Sequence, residues 1–209
     1  MGKFLTQERA NLGLIDLKKY EKRQISKNLI NNNKVIYKTV ESSNQYQINE
    51  VIENLYKEFG NIDYLICSFY IEDIRSNIED DDLSLKTWEC IFQDWLINYF
   101  LILKAVVPLM IKAKKGKIIF INTTTGYTGE GEGEGRIDLN GSIHENACSS
   151  GITGMLTSIA ADIIPQGISV NGIALGNDYV NDSERLLWAI NLWLSGIGDY
   201  SCGQILRLY

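Results

Sequence analysis

Thr123, His144 and Glu145 supply the side-chain types of a proton-handling site: a hydroxyl, the chain's one imidazole and a carboxylate. Such a Glu–His–Thr group can pass a proton to or from a reacting atom if folding brings the three within hydrogen-bond reach. The competing reading places His144 and Glu145 in a loop or at a helix cap. Glu79, Asp80, Asp81 and Asp82 are four consecutive carboxylates that could gather a cation, although a run of like charge more often marks a solvated loop. Between Gly129 and Gly135, glycine alternates with Glu130, Glu132 and Glu134. A phosphate-cradling loop needs bare backbone N–H groups at a helix start, and three carboxylates would repel a diphosphate, so this stretch reads as a surface insertion. Cys67, Cys90, Cys148 and Cys202 stand far apart with a single histidine in the chain, which excludes the usual zinc spacings. No metal site is expected.

The chain has 209 residues, 45% of them apolar and 22% charged, which suits one globular α/β domain spanning 1–209. Its net charge of −6 argues against nucleic-acid or anionic-membrane partners, both of which need a basic footprint. The unpaired cysteine pattern points to a reducing, cytoplasmic compartment. No apolar run is read as long enough to span a membrane, and no secretory pattern opens the chain. Met1, Gly2 and Thr6 match the loose N-myristoylation pattern, which is taken as coincidence.

Strand and helix signals alternate, as in a mostly parallel sheet covered on both faces. Leu12–Leu17 is a short apolar run, followed by a Lys-rich helix over about 18–31 that Asn31, Asn32 and Asn33 interrupt. Lys34–Val40 reads as the next strand. Ile48, Val51, Ile52, Leu55 and Phe59 predict a helix over 47–59, closed by Gly60. Ile62–Cys67 reads as a buried strand. From Thr87 to Ala113 runs a helical segment too apolar for a surface helix, which needs cover on two sides. Gly116–Asn122 and Gly167–Ile173 are strands around an apolar helix at 146–164. A helix at 183–194, with Trp188 and Trp193, and a short strand at 204–208 end the pattern.

The stretches EFGNIDYLI, DDLSLKTWECIF, NYFLILKAVVPLM, GKIIFINTTTGYTG, GITGMLTSIAADIIPQGISVNGIALG and CGQIL resemble, in order and spacing, the short-chain dehydrogenases/reductases. The resemblance implies a Rossmann-like, doubly wound, mostly parallel sheet. It aligns Leu12–Leu17 with the family's second strand, so the first strand and its glycine-rich dinucleotide loop have no counterpart among these residues. The first strand is central in the family, so six strands are expected, with a rearranged N-terminal edge that avoids an empty slot of unpaired backbone. Asp16 takes the place of the acid that faces the adenosine ribose and is read as vestigial. Cys67, Ser68, Phe69 and Tyr70 replace the family's Asn-Asn-Ala-Gly, and Thr39 replaces its adenine-side aspartate.

The resemblance also places the family's catalytic tetrad. The serine position falls at Thr123, the tyrosine at Glu145, the lysine at Ser149 and the water-relay asparagine at Trp95. Independently of any alignment, no tyrosine here has a lysine four residues on, and no lysine follows Lys117. Only a short segment, Gly176 to Asp182, stands where the family carries a substrate-covering lid. The implied reading is a pseudoenzyme with no cofactor, which assembles with a catalytically active relative as a heterotetramer. The contacts expected are helices 88–113 and 146–164 and the C-terminal segment 183–208, which stay apolar through Trp95, Tyr99, Leu103, Leu156, Trp188 and Trp193. In this the chain resembles the inactive subunits of heteromeric members such as (hydroxybenzyl)succinyl-CoA dehydrogenase. Two alternatives remain open: a homo-oligomeric sensor using the vacated cleft, and an enzyme of different chemistry built on Thr123, His144 and Glu145.

Overall fold

The computed structural model describes residues 10–20, 34–68, 84–124, 143–176 and 183–208. The expected helix beyond Tyr20, Asn31–Asn33, Phe69, Tyr70, the acidic run 79–82, the 129–135 insertion and most of 176–182 lie outside these residues.

In chain order the elements are β1 (Leu12–Leu17), β2 (Val35–Val40), α1 (Gln45–Phe59), β3 (Tyr64–Ser68) and α2 (Leu85–Phe92). A π-helical turn (Gln93–Ile97), α3 (Asn98–Ala113), β4 (Gly116–Thr123) and α4 (Ile143–Ile163) follow. The last are β5 (Ile168–Leu175), α5 (Ser183–Leu194) and β6 (Ile205–Leu208). The doubly wound architecture expected from the sequence is present, and the described strands number six.

β4 shows why the sheet is covered on both faces. Its side chains alternate, so Ile118 and Phe120 join one core with Val106, Met110, Ile152 and Leu156, while Ile119 and Ile121 join another with Ala189, Ile190 and Trp193. β5 is buried from Ile168 through Ala174 for the same reason. The long segment from Leu85 to Ala113 is not one continuous α-helix, as the sequence suggested. Five residues, Gln93–Ile97, widen into a π turn at its middle. Helix α4 starts at Ile143 rather than at 146, which takes His144 and Glu145 into its first turn.

Two expectations need correction. The N-terminal edge does not rearrange to close the sheet: among the described residues β1 pairs only with β2, and a separate sheet runs β3-β4-β5-β6, all pairs parallel. The two sheets nevertheless share one core, since Leu17 and Val40 pack in the same cluster as Cys67, Tyr99 and Ile118. Secondly, 85–113 and 143–166 are each long and apolar enough to cross a membrane by length and composition. In this fold Leu101, Leu103, Val106, Met110, Ile152, Leu156 and Ala160 on those helices line the core of the sheets.

Helix α1 ties the halves together. Asn44 caps its start by accepting from the Gln47 N–H at 3.1 Å, and Gly60 ends it at φ 80°. Its Leu55 presses onto β1 at Gly13, where an added Cβ would sit 2.7 Å from a Leu55 methyl.

Candidate functional site

The positions to which the sequence assigned chemistry gather where the carboxyl end of β4 meets the start of α4 and the π turn. Ser149 is 1% exposed, and its hydroxyl donates to the Thr123 carbonyl at 3.1 Å. The Ser149 carbonyl accepts from Asn122 Nδ2 at 2.9 Å and from Thr153 Oγ1 at 3.0 Å. Ser149 is thus a small side chain whose hydrogen bond staples helix to strand.

Trp95, in the π turn, is buried against Ile91 and Cys148. The next residue, Leu96, approaches α4 at Gly151, where an added Cβ would lie 3.3 Å from either Leu96 methyl. Burial pushes the Cys148 thiol up to about 12, so it stays a neutral, unreactive packing group. An indole, two leucine methyls and a thiol occupy this junction, and none of them transfers a proton near neutral pH.

His144 is 2% exposed and burial lowers its pKa, which favours the uncharged ring. It lies in the first turn of α4 and is not loop-exposed, and a buried ring is poorly placed to meet a substrate arriving from solvent. Glu145 and Thr123 are half-buried. Asp16 stands at the end of β1, where its Oδ1 accepts from the Leu17 N–H at 2.8 Å.

Tyr99 is a phenol that the sequence did not mark for chemistry. It is fully buried, stacked on Phe120 with ring centroids 5.1 Å apart, and its hydroxyl lies 3.1 Å from the Cys67 carbonyl and 3.0 Å from that of Ile121. Burial, with the Cys67 thiol beside it, holds its pKa well above 10. Its one proton bridges two strand carbonyls, and the group is structural.

A polar cluster around the π turn was also missed. Asn98, 1% exposed, accepts from the Ser43 N–H at 2.9 Å and donates to Ser42 Oγ at 3.2 Å and to the Asp94 carbonyl at 3.0 Å. Ser43, at φ 56°, donates its hydroxyl to the Gln93 carbonyl at 3.2 Å, and Lys19 pairs with the buried Asp94. A π turn frees backbone carbonyls that an α-helix would use, and here the turn after β2 satisfies one of them. No sequence signal announces this cluster, because its members come from three distant segments.

A shallow recess between α4 and the sheet, lined by Phe120, Ile152, Thr153, Leu156, Gly172 and Ile205 among others, encloses no space large enough for a water molecule. It belongs to the core rather than to a binding site.

Comparison with known proteins fits this architecture. A family profile described as short chain dehydrogenase matches residues 1–181. The chain is similar to the 3-oxoacyl-[acyl-carrier-protein] reductase FabG of Buchnera aphidicola subsp. Acyrthosiphon pisum, 30% identical over 143 residues, 66% of this chain and 52% of that protein. To the Escherichia coli protein of the same name it is 29% identical over 131 residues, 62% of this chain and 48% of that one. The chain therefore spans about half the length of the curated relatives it matches. Among solved structures, sorbitol-6-phosphate 2-dehydrogenase SrlD from Erwinia amylovora shares the fold with a TM-score of 0.81 at 18% identity, covering 99% of this chain and 91% of that one. ElxO with NADP bound gives 0.77 at 16% identity, over 98% of this chain and 89% of that one.

Proposed function

The chain belongs to the short-chain dehydrogenase family, and from that premise we propose that it is a non-catalytic subunit, one that assembles with and supports a catalytically competent relative. The observation that carries this reading is the content of the four catalytic positions: Trp95, Thr123, Glu145 and Ser149. Family chemistry needs a phenol that exchanges a proton with substrate and an ammonium one helical turn away that lowers its pKa. Here the turn of α4 that would bear them offers a carboxylate and a hydroxyl, and the hydroxyl is already committed to the Thr123 carbonyl. Of the four positions, only Thr123 keeps the type of group, a hydroxyl, that the family's chemistry uses there.

Trp95, Tyr99, Leu103, Leu156 and Trp193, which the sequence offered as contact residues, are buried in this chain's own core, so the assembling reading rests instead on the outer faces of α3 and α4. Ile97, Phe100 and Ile111, at 40%, 49% and 37% exposure, form one stripe with Lys104, whose ammonium lies 5.8 Å above the Phe100 ring. Along the middle of α4, between the exposed Ile143 and Asp162, the exposed residues Ser150, Gly154, Thr157 and Ser158 are small and allow close approach of another helix. An apolar stripe beside a flat one suits helix-on-helix packing with a second subunit. Trp188 and Tyr200, both exposed, extend the apolar surface at the C-terminal end. The partner proposed is a complete short-chain dehydrogenase, in a mixed tetramer, with the competent subunit holding the cofactor.

The test uses the purified chain, NADPH and an acetoacetyl thioester. Alone it oxidises no NADPH. Mixed with a complete short-chain dehydrogenase from the same source, it forms hetero-oligomers by native mass spectrometry. Turnover by the chain alone overturns the proposal.

A further inference from the structure

We propose that the π turn at Gln93–Ile97 is a two-register switch, held wide by the segments that follow β1 and β2 and able to close into straight α-helix when they let go. The sequence is compatible with both registers. Counting back from Met110 through Val106, Leu103 and Tyr99, steps of three and four residues lead on to Trp95, Phe92 and Trp88. An uninterrupted α-helix would set all of these on its inward face. In the structure the turn takes in one residue more, and before it the inward face slips back by one position. Ile91 and Asp94 are buried there, while Phe92 is half-buried and stacked on Trp88 with ring centroids 5.1 Å apart.

The wide register is unfavourable within the helix itself. It shuts the Asp94 carboxylate away from water at 7% exposure. It also takes the usual donor from the Asp94 carbonyl, because the Asn98 N–H turns to the Trp95 carbonyl instead. Side chains offset both losses. Lys19, just past β1, pairs with the Asp94 carboxylate. Ser43, just past β2, donates its hydroxyl to the Gln93 carbonyl at 3.2 Å and its N–H to Asn98 Oδ1 at 2.9 Å. The second bond orients the Asn98 amide, whose Nδ2 covers the Asp94 carbonyl at 3.0 Å.

The clamp is thus made at the carboxyl ends of β1 and β2, and the part that turns is α2. Closing the turn by one residue rotates α2 by about 100° relative to α3. Phe92 then takes the inward place of Ile91, Asp94 the exposed place of Gln93, and Ile91 the exposed place of Cys90. A change in the charge of Lys19, or a displacement of the turn after β2, is read out on the surface of α2. This device goes beyond the partner reading above and does not rest on it.

The test places a cysteine probe in the full chain by Ile91→Cys or Phe92→Cys, each with Cys90→Ser. Alkylation by iodoacetamide is followed site by site with peptide mass spectrometry, and the buried Cys148 reports unfolding. With Lys19 intact, position 92 should react faster than position 91. Lys19→Met should raise the rate at 91 by about tenfold or more and lower that at 92, because a buried carboxylate without its partner strongly disfavours the wide register. Ser43→Ala, which removes one hydroxyl and keeps the ion pair, should move both rates the same way by up to about fivefold, the equivalent of one hydrogen bond. Lys19→Arg should leave both unchanged. Rates that rise together at 91, 92 and Cys148 in the Lys19→Met chain, or no opposed change at 91 and 92 in the Ser43→Ala chain, would overturn the proposal.

Discussion

Replacing Asn98 with alanine should cost about 3 kcal/mol, the net value of roughly three hydrogen bonds at ~1 kcal/mol each. The side chain is almost fully buried, so its partners keep their polar groups in the interior when it is removed: the Ser43 N–H, the Asp94 carbonyl and Ser42 Oγ. For a chain of this size each kcal/mol moves the melting temperature by about 2–4 °C, so the expected drop is about 6–12 °C. Ser42→Ala, which removes only the longest of the three bonds, should lose about 1 kcal/mol. Urea unfolding gives both values, and hydrogen exchange at residues 41–44 reports whether the turn after β2 has come away from the π turn. An Asn98→Ala variant within about 0.5 kcal/mol of the parent would refute the reasoning, because the π turn would then be held by Trp95 and Ile91 packing alone.

Phe100→Glu should abolish association with a partner dehydrogenase in analytical ultracentrifugation while shifting stability by no more than about 0.5 kcal/mol, since the ring is half exposed. Burial holds the His144 pKa below 6.5, so as pH falls through that value the unfolded chain takes up a proton that the folded chain does not. Stability should be independent of His144 above about pH 7 and fall below it by up to about 1.4 kcal/mol per pH unit, levelling off below the folded pKa; His144→Gln should remove that slope in urea midpoints. Ser149→Lys, which restores the family residue, should destabilise by about 3 kcal/mol or more because it buries an unpaired ammonium. A lysine variant of undiminished melting temperature would show that the site has room for the charge.

Most of the elements are legible in the chain because their signals are local. β4 and β5 announce themselves as apolar runs, since a strand covered on both faces has no polar side to alternate with. Helix α1 is readable from Ile48, Ile52 and Leu55 and from the glycine that ends it. The π turn was not readable. It is where Ser42, Ser43, Lys19 and Asn98 meet, polar residues that in isolation look like solvated surface. His144 was misplaced for a related reason: the glycine-rich stretch before it suggested a loop, yet the ring belongs to the first turn of α4 and is buried.

By itself the sequence determined that no tyrosine is followed four residues later by a lysine. That pair would occupy one face of one helix, so its presence or absence is a property of local spacing and survives any error of alignment. It also determined which helices are too apolar to be solvated all round. Only the tertiary structure decided what fills the altered positions: Trp95 against Cys148, and Ser149 bonded to the Thr123 carbonyl. Only it decided that β1 stays apart from β3 instead of closing the sheet. Across these segments α1 packs its Leu55 onto Gly13 of β1. Contacts between distant segments set that arrangement, and no local pattern encodes them.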